Sequence, residues 1–326
     1  MRAIRVLAFS FVFLTAVTFG CSKPRPASPA SSAPSGPTVP DGLSATIDAS
    51  AWTTPEGAEP GEARALTANG AELAFRWVPA GTFAMGCPKE VWNAYVEKKG
   101  EDKEGAGLFL AAYDETPHEV ELTQGFWLAE TELTQAAWKS IVGTDPSYDK
   151  GDELPVECVS WDDAQKLVDA LNAAQGAPAG FRFALPTEAQ WEYACRAGST
   201  TLFAQGDVLT EKDARCTGDD PLTAKDKLVG NDKPLPVKSF DPNAWGLYDM
   251  HGNVWEWCAD AYGRYPKEAQ TDPAGPAEAG EGGERVTRGG CYSVDSFFCR
   301  SARRSKSSAQ LPYSYVGIRL ALVPAN

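Results

Sequence analysis

Gly246-Leu-Tyr-Asp-Met-His-Gly-Asn-Val-Trp-Glu-Trp257 is the stretch whose reading decides the fold of this chain. Its acidic, glycine and tryptophan residues follow neither the period of an amphipathic helix nor the alternation of a half-buried strand. The segment therefore reads as a loop that holds something. Asp249 and Glu256 supply hard carboxylate oxygens, Gly252 lets the backbone turn, and carbonyls between them can complete an oxygen cage for calcium. Trp255 and Trp257 are placed to fasten such a loop to a core.

Five further blocks surround it. They are Val78-Pro-Ala-Gly-Thr-Phe-Ala-Met-Gly86, Glu115-Thr-Pro-His-Glu-Val-Glu-Leu-Thr123 leading into Glu130-Thr-Glu-Leu-Thr134, Pro155-Val-Glu-Cys-Val-Ser-Trp-Asp-Asp-Ala164, Leu185-Pro-Thr-Glu-Ala-Gln-Trp-Glu-Tyr-Ala-Cys-Arg-Ala-Gly198, and Arg288-Gly-Gly290 with Cys299-Arg-Ser-Ala302 and Gly317-Ile-Arg-Leu320. In this order the blocks resemble the formylglycine-generating enzyme family, also called the sulfatase-modifying factor family, from about residue 71 to the end. The resemblance implies an irregular α+β fold related to C-type lectins and low in regular secondary structure. It also places a structural calcium ion on the Asp249 and Glu256 side chains and the Gly252 and Val254 carbonyls. A second family calcium site falls near Arg215 and Cys216, where an asparagine is expected and Arg215 has no side-chain oxygen to give.

The same resemblance bears on catalysis. Active members of the family bind copper(I) between two cysteines, and soft thiolates suit that ion. Aligned on the paired glycines, the second cysteine falls on Cys299 and the first on Val294, which has no donor atom. Cys291 stands where the family usually has a serine, eight residues before Cys299. Cys299 and Cys291 are thus the candidate catalytic residues, and the copper site is expected to be incomplete. Cys299 also reads as half of a disulfide with Cys195 or Cys258, and Cys291 as a reactive thiol. Three functions stay open: an oxidase converting cysteine in an extended peptide or protein to formylglycine, a non-catalytic lectin-like module holding peptide or glycan, and another enzyme of the superfamily, such as those serving pigment or siderophore maturation. Val294 weighs against the first.

Composition narrows the setting. Among 326 residues, Arg2 and Arg5 precede an apolar run over 6–19 that is short for a membrane span, so residues 1–20 read as a signal peptide. Cys21 then sits where bacterial lipoproteins are lipidated, although Thr18-Phe19-Gly20 lacks the usual leucine. Residues 21–70 are expected to be a Pro-, Ala- and Ser-rich tether, semi-ordered at best over 42–70, ahead of one folded domain at 71–326. The expected location is the bacterial cell envelope, facing periplasm or exterior and touching the membrane by its lipid alone; the alternative is a secreted soluble protein. A monomer is expected. The net charge of −14 becomes −16 without Arg2 and Arg5, which disfavours nucleic acid. Arg300, Arg303, Arg304 and Lys306 read as a locally paired surface.

Seven cysteines besides Cys21 and no CxxC pair point to disulfides rather than a zinc ribbon. With only His118 and His251, a three-histidine iron site is excluded and a serine–histidine hydrolase disfavoured. His118 reads as structural, at the start of a strand. Alternation over 72–85, broken at Pro79-Ala-Gly, predicts strand and turn, and 120–128 supplies further strand. Residues 88–113 look inserted, with a short helix. Thr134 caps a predicted helix through Val142, Ser160 with Asp163 caps one buried along Ala164, Leu167, Val168 and Leu171, and Thr187 with Gln190 caps a third that carries Trp191 and Ala194 and stops at Gly198. Loops are expected over 199–245, with the ten tryptophans mostly in the core.

Overall fold

The three predicted helices form where their caps are written. In the computed structural model, α1 (Gln135–Val142) starts with the Thr134 hydroxyl accepting from Ala137 N–H at 3.2 Å, and ends at Gly143 in the left-handed region. At the head of α2 (Trp161–Ala173) the Ser160 hydroxyl accepts from Asp163 N–H at 3.1 Å and donates to the Asp163 carboxylate at 2.7 Å. Ala164, Leu167, Val168 and Leu171 are all buried on its inner face. In α3 (Glu188–Arg196) both halves of the box are present: Thr187 Oγ1 accepts from Gln190 N–H and Gln190 Oε1 from Thr187 N–H. This helix stops one residue earlier than expected, because Ala197 itself turns left-handed at φ 45°.

The structure describes residues 39–325 apart from 41, 51, 53–56, 92, 94–96, 98–113, 210–211, 217, 220–226, 229–232, 277–279 and 281. The expected signal peptide, Cys21, the first part of the tether and most of the 88–113 insertion lie outside the described residues. Within them, β1 (Ile47–Asp48) pairs with β2 (Ala63–Ala68), and β2 pairs along its whole length with β3 (Ala71–Val78). Residues 42–70 therefore contribute strands to the domain, where semi-order was expected. Their alanine-rich composition conceals an alternating strand that buries Leu66 and Ala68.

After the Pro79-Ala-Gly break, β4 (Gly81–Met85) pairs with β5 (His118–Leu122), while β6 (Phe126–Ala129) returns to β3. β7 (Phe181–Ala184) precedes α3, and the short β8 (Gly218–Asp219) and β9 (Lys227–Leu228) form a ladder of their own. β10 (Trp255–Ala261), β11 (Gln270–Thr271), β12 (Glu284–Arg288), β13 (Arg304–Ser308), β14 (Val316–Gly317) and β15 (Ala321–Pro324) follow. The largest sheet has the order β1-β2-β3-β6-β15-β7, and a second has β13-β12-β10-β14. These curled sheets, with α1, α2 and α3 packed among them, make the α+β fold that was expected. All nine described tryptophans lie in the core or against it. His118 begins β5, with Nδ1 on Thr116 O at 3.0 Å, as a structural residue does.

Four buried arginines of the C-terminal part each meet a buried glutamate. Arg288 donates to Glu192, Arg300 makes two bonds to Glu115 at 2.9 and 3.1 Å, Arg304 makes two to Glu188 at 2.7 and 2.8 Å, and Arg319 grips Glu256 at 2.7–3.0 Å. The expected paired surface is thus paired, but only Lys306 of its four cations lies at the surface. The reason is that guanidinium planes stack on aromatic rings, with Arg300 4.0 Å from the Phe297 ring centre and Arg304 3.6 Å from that of Tyr265.

Glu192 illustrates the balance. Burial pushes its carboxyl up, but Arg196 and Arg288 outweigh burial and hold it below the usual carboxylate range. The stabilisation is present above the unfolded carboxylate pKa and is lost as pH falls through the depressed folded value. Removing one partner leaves a buried uncompensated charge. We therefore expect Glu192→Ala to cost about 3–5 kcal/mol by urea unfolding at neutral pH, with the difference shrinking in acid; a change under about 1 kcal/mol would show that the pair contributes little.

Candidate functional site around the 246–257 segment

Asn243 shapes the entrance of the segment. Its Oδ1 accepts from the N–H groups of Trp245 and Leu247 at 3.0 and 3.1 Å, and its amide donates to the Ala194 and Cys195 carbonyls at the end of α3. Asp249, Gly252 and Asn253 then take left-handed backbone, with φ of 56°, 93° and 58°. Gly252 is needed here for space as well as torsion, since a Cβ would stand 2.3 Å from Arg215 O. The loop ends sooner than its composition suggests. Trp255, Glu256 and Trp257 open β10, where Glu256 pairs with Arg288 of β12 on one side and Gly317 of β14 on the other.

Asp249 Oδ2 accepts from Lys238 N–H at 2.8 Å, and burial pushes its carboxyl up to about 6. Glu256, fully buried, accepts from Arg319 and from Trp191 Nε1, the latter at 2.6 Å. A residue that sequence reading left unassigned joins them. Glu132 is 1% exposed, and neither of its carboxylate oxygens has a hydrogen-bond partner. Burial, followed by the charge of Asp249, pushes it well above the usual carboxylate range, against the attraction of Arg319. Three carboxylates thus share one guanidinium. The signal was available in Glu130-Thr-Glu-Leu-Thr134, but that block reads equally as a charged surface turn. At the second calcium position, the Arg215 carbonyl accepts from Asn253 N–H at 2.8 Å and the guanidinium donates to Lys233 O.

His251 links this segment to the candidate thiols. Its Nδ1–H donates to Cys299 O at 2.8 Å, and its Nε2 accepts from Ala204 N–H at 3.0 Å. Burial lowers its pKa to about 4, so the ring is neutral and works as a two-ended strut. Cys299 is fully buried and fits only because residue 290 is glycine: a Cβ there would lie 2.4 Å from Cys299 Sγ. Cys291 is buried in the main core, 3.2 Å from the Ser293 hydroxyl. Val294 packs against that core and also against the small cluster of Phe203, Leu209, Ala214, Cys216 and Cys299.

Cys216 shares the small apolar cluster with Cys299, whose Sγ donates to Asp295 O at 3.7 Å. Of the two cysteines considered from sequence as its partner, Cys195 points to His251 and the Met250 carbonyl, and Cys258 lies in β10 within the second core cluster. The seven described cysteines are thiols in this structure. Apart from them, a cleft of about 390 Å³ is lined by residues including His118, Glu188, Asp260, Tyr265 and Arg304. Burial and the neighbouring Glu188 push Asp260 there up to about 7.

Comparison with known proteins bears directly on this arrangement, since the sulfatase-modifying factor enzyme 1-like domain matches residues 64–323. The chain belongs to that family. The match begins within β2, in agreement with the strand pairing. The formylglycine-generating enzyme of Mus musculus is 33% identical to the chain over 236 residues, covering 69% of this chain and 58% of that protein. The formylglycine-generating enzyme of Streptomyces coelicolor is 38% identical over 191 residues, covering 56% of each. The chain thus spans somewhat over half the length of these relatives. Among solved structures, Treponema denticola variable protein 1 superposes with a TM-score of 0.63 over 80% of this chain and 99% of that one, and PvdO from Pseudomonas aeruginosa with 0.60 over 82% and 99%. Both are 24% identical, which speaks for the fold alone.

Proposed function

We propose that this chain is a lipid-anchored cell-envelope member of the sulfatase-modifying factor family, whose domain engages an extended peptide or protein without making formylglycine through a copper pair. Val294 carries this reading. It fills an apolar gap beside Cys299 with a side chain that has no donor, and Cys291 is engaged with Ser293. Two thiolates on one copper(I) ion do not fit the Val294 and Cys299 positions.

The test is mass spectrometry of a Cys-x-Pro-x-Arg peptide incubated with copper-loaded protein. The expected result is no aldehyde product and no tight copper(I) binding. Aldehyde formation by the unaltered protein, lost in Cys299→Ser or Cys291→Ser, would overturn the reading in favour of an active oxidase. The leader, Cys21 and the Pro/Ala/Ser segment support the anchor. Cys21→Ser is expected to move the protein from the membrane fraction to the soluble one; a wild-type protein already soluble after cleavage would favour plain secretion.

Calcium is the second part of the proposal. The Asp249 and Glu256 carboxylates and the Gly252 and Val254 carbonyls would hold the ion, which supplies charge neutralisation and fixes irregular backbone. The two orphaned oxygens of Glu132 support it, because a buried carboxylate without a partner is costly unless a cation or a proton compensates it. Chelation is expected to lower the melting temperature, with Asp249→Ala and Glu132→Gln removing most of the difference. A melting temperature indifferent to chelator counts against the ion.

A further inference from the structure

Cys216 and Cys299 are 83 positions apart in sequence and are held together from both sides by one short segment. Gly252 meets Arg215 in a parallel bridge, with Asn253 N–H on Arg215 O at 2.8 Å, which fixes the backbone next to Cys216. His251 holds the Cys299 carbonyl at 2.8 Å, and the missing side chain of Gly290 gives Cys299 Sγ its place. Phe203, Leu209 and Ala214 close over the two thiols, which are 2% and 0% exposed. The contact is therefore set by the backbone on both sides and is not an accident of side-chain freedom.

We propose that Cys216 and Cys299 close to a disulfide that pins the 202–216 segment to the C-terminal block. In the step, each thiol gives up a proton and the pair gives up two electrons. The oxidant is a small-molecule or protein disulfide, whose S–S bond breaks as it becomes two thiols by exchange through a mixed disulfide. The bond closes a long loop, the case in which a cross-link most restricts the unfolded chain. It also withdraws Cys299 from any metal, leaving Cys291 as the thiol of the pair first suspected of catalysis. This rests on the reading that the chain is exported to an oxidising compartment, but the test does not.

The full chain, reduced and refolded in a glutathione redox buffer, is alkylated under denaturing conditions, digested without reduction and mapped by mass spectrometry. The expected result is a linked Cys216–Cys299 peptide, with Cys195, Cys258 and Cys291 alkylated. Alkylation of both Cys216 and Cys299, or a bond from Cys299 to another cysteine, overturns the proposal. In parallel, a reductant is expected to lower the wild-type melting temperature by about 5–10 °C. Cys216→Ala, Cys299→Ala and the double variant should each match the reduced wild type and ignore the reductant. Destabilisation in Cys299→Ala with none in Cys216→Ala would equally overturn it. The aldehyde assay separates the two readings: a mapped disulfide with aldehyde formation sinks the functional proposal alone, and two thiols without aldehyde sink the disulfide alone.

Discussion

Buried arginine–glutamate pairing is the constraint on which this fold depends. A domain with short helices and several two-residue strands among its described residues has too few regular hydrogen bonds to define long irregular connections, so other strong, directional contacts must do it. Glu115, Glu188, Glu192 and Glu256 come from three separate blocks of the chain, and Arg288, Arg300, Arg304 and Arg319 come from its last forty residues or so. Each pair costs desolvation and gains it back only if the geometry is right. The C-terminal part can therefore dock in essentially one way, and the blocks that look like isolated motifs in sequence turn out to be one another's partners.

The 246–257 segment sits at the centre of that arrangement. Glu256 lies between β12 and β14 in the sheet and is held by Arg319 and Trp191, while Asn243 ties the segment to the end of α3 and His251 ties it to Cys299. Two glycines allow the close approaches that this needs, Gly252 toward Arg215 and Gly290 toward Cys299. The consequence is that the carboxylate group around Glu132 and the thiol group around Cys299 are joined through a few residues of continuous backbone.

Family membership and fold do not carry catalysis with them. The chain has the domain, yet the place beside Cys299 is filled by valine and the neighbouring thiol comes from residue 216, far away in sequence. The scaffold here brings two thiols together across the fold.

By itself the sequence determined the caps of α1, α2 and α3, the strands on either side of Pro79-Ala-Gly, the core role of the tryptophans and the absence of a donor at Val294, while the family resemblance of its blocks carried the α+β class. Those features are local: a cap needs residues three apart, a strand needs alternation, and a missing donor is a property of one side chain. Only the tertiary structure decided that residues 42–70 supply sheet strands, that the Arg300–Arg304 run is interior, that Glu132 is buried without a hydrogen-bond partner, and that Cys299 shares its cluster with Cys216 and not with Cys195 or Cys258. Each of these depends on which distant group faces a side chain. Spacing along the chain carries no information about that when the connecting segments are long and irregular, because loop closure over tens of residues varies so slowly with length that it selects no partner.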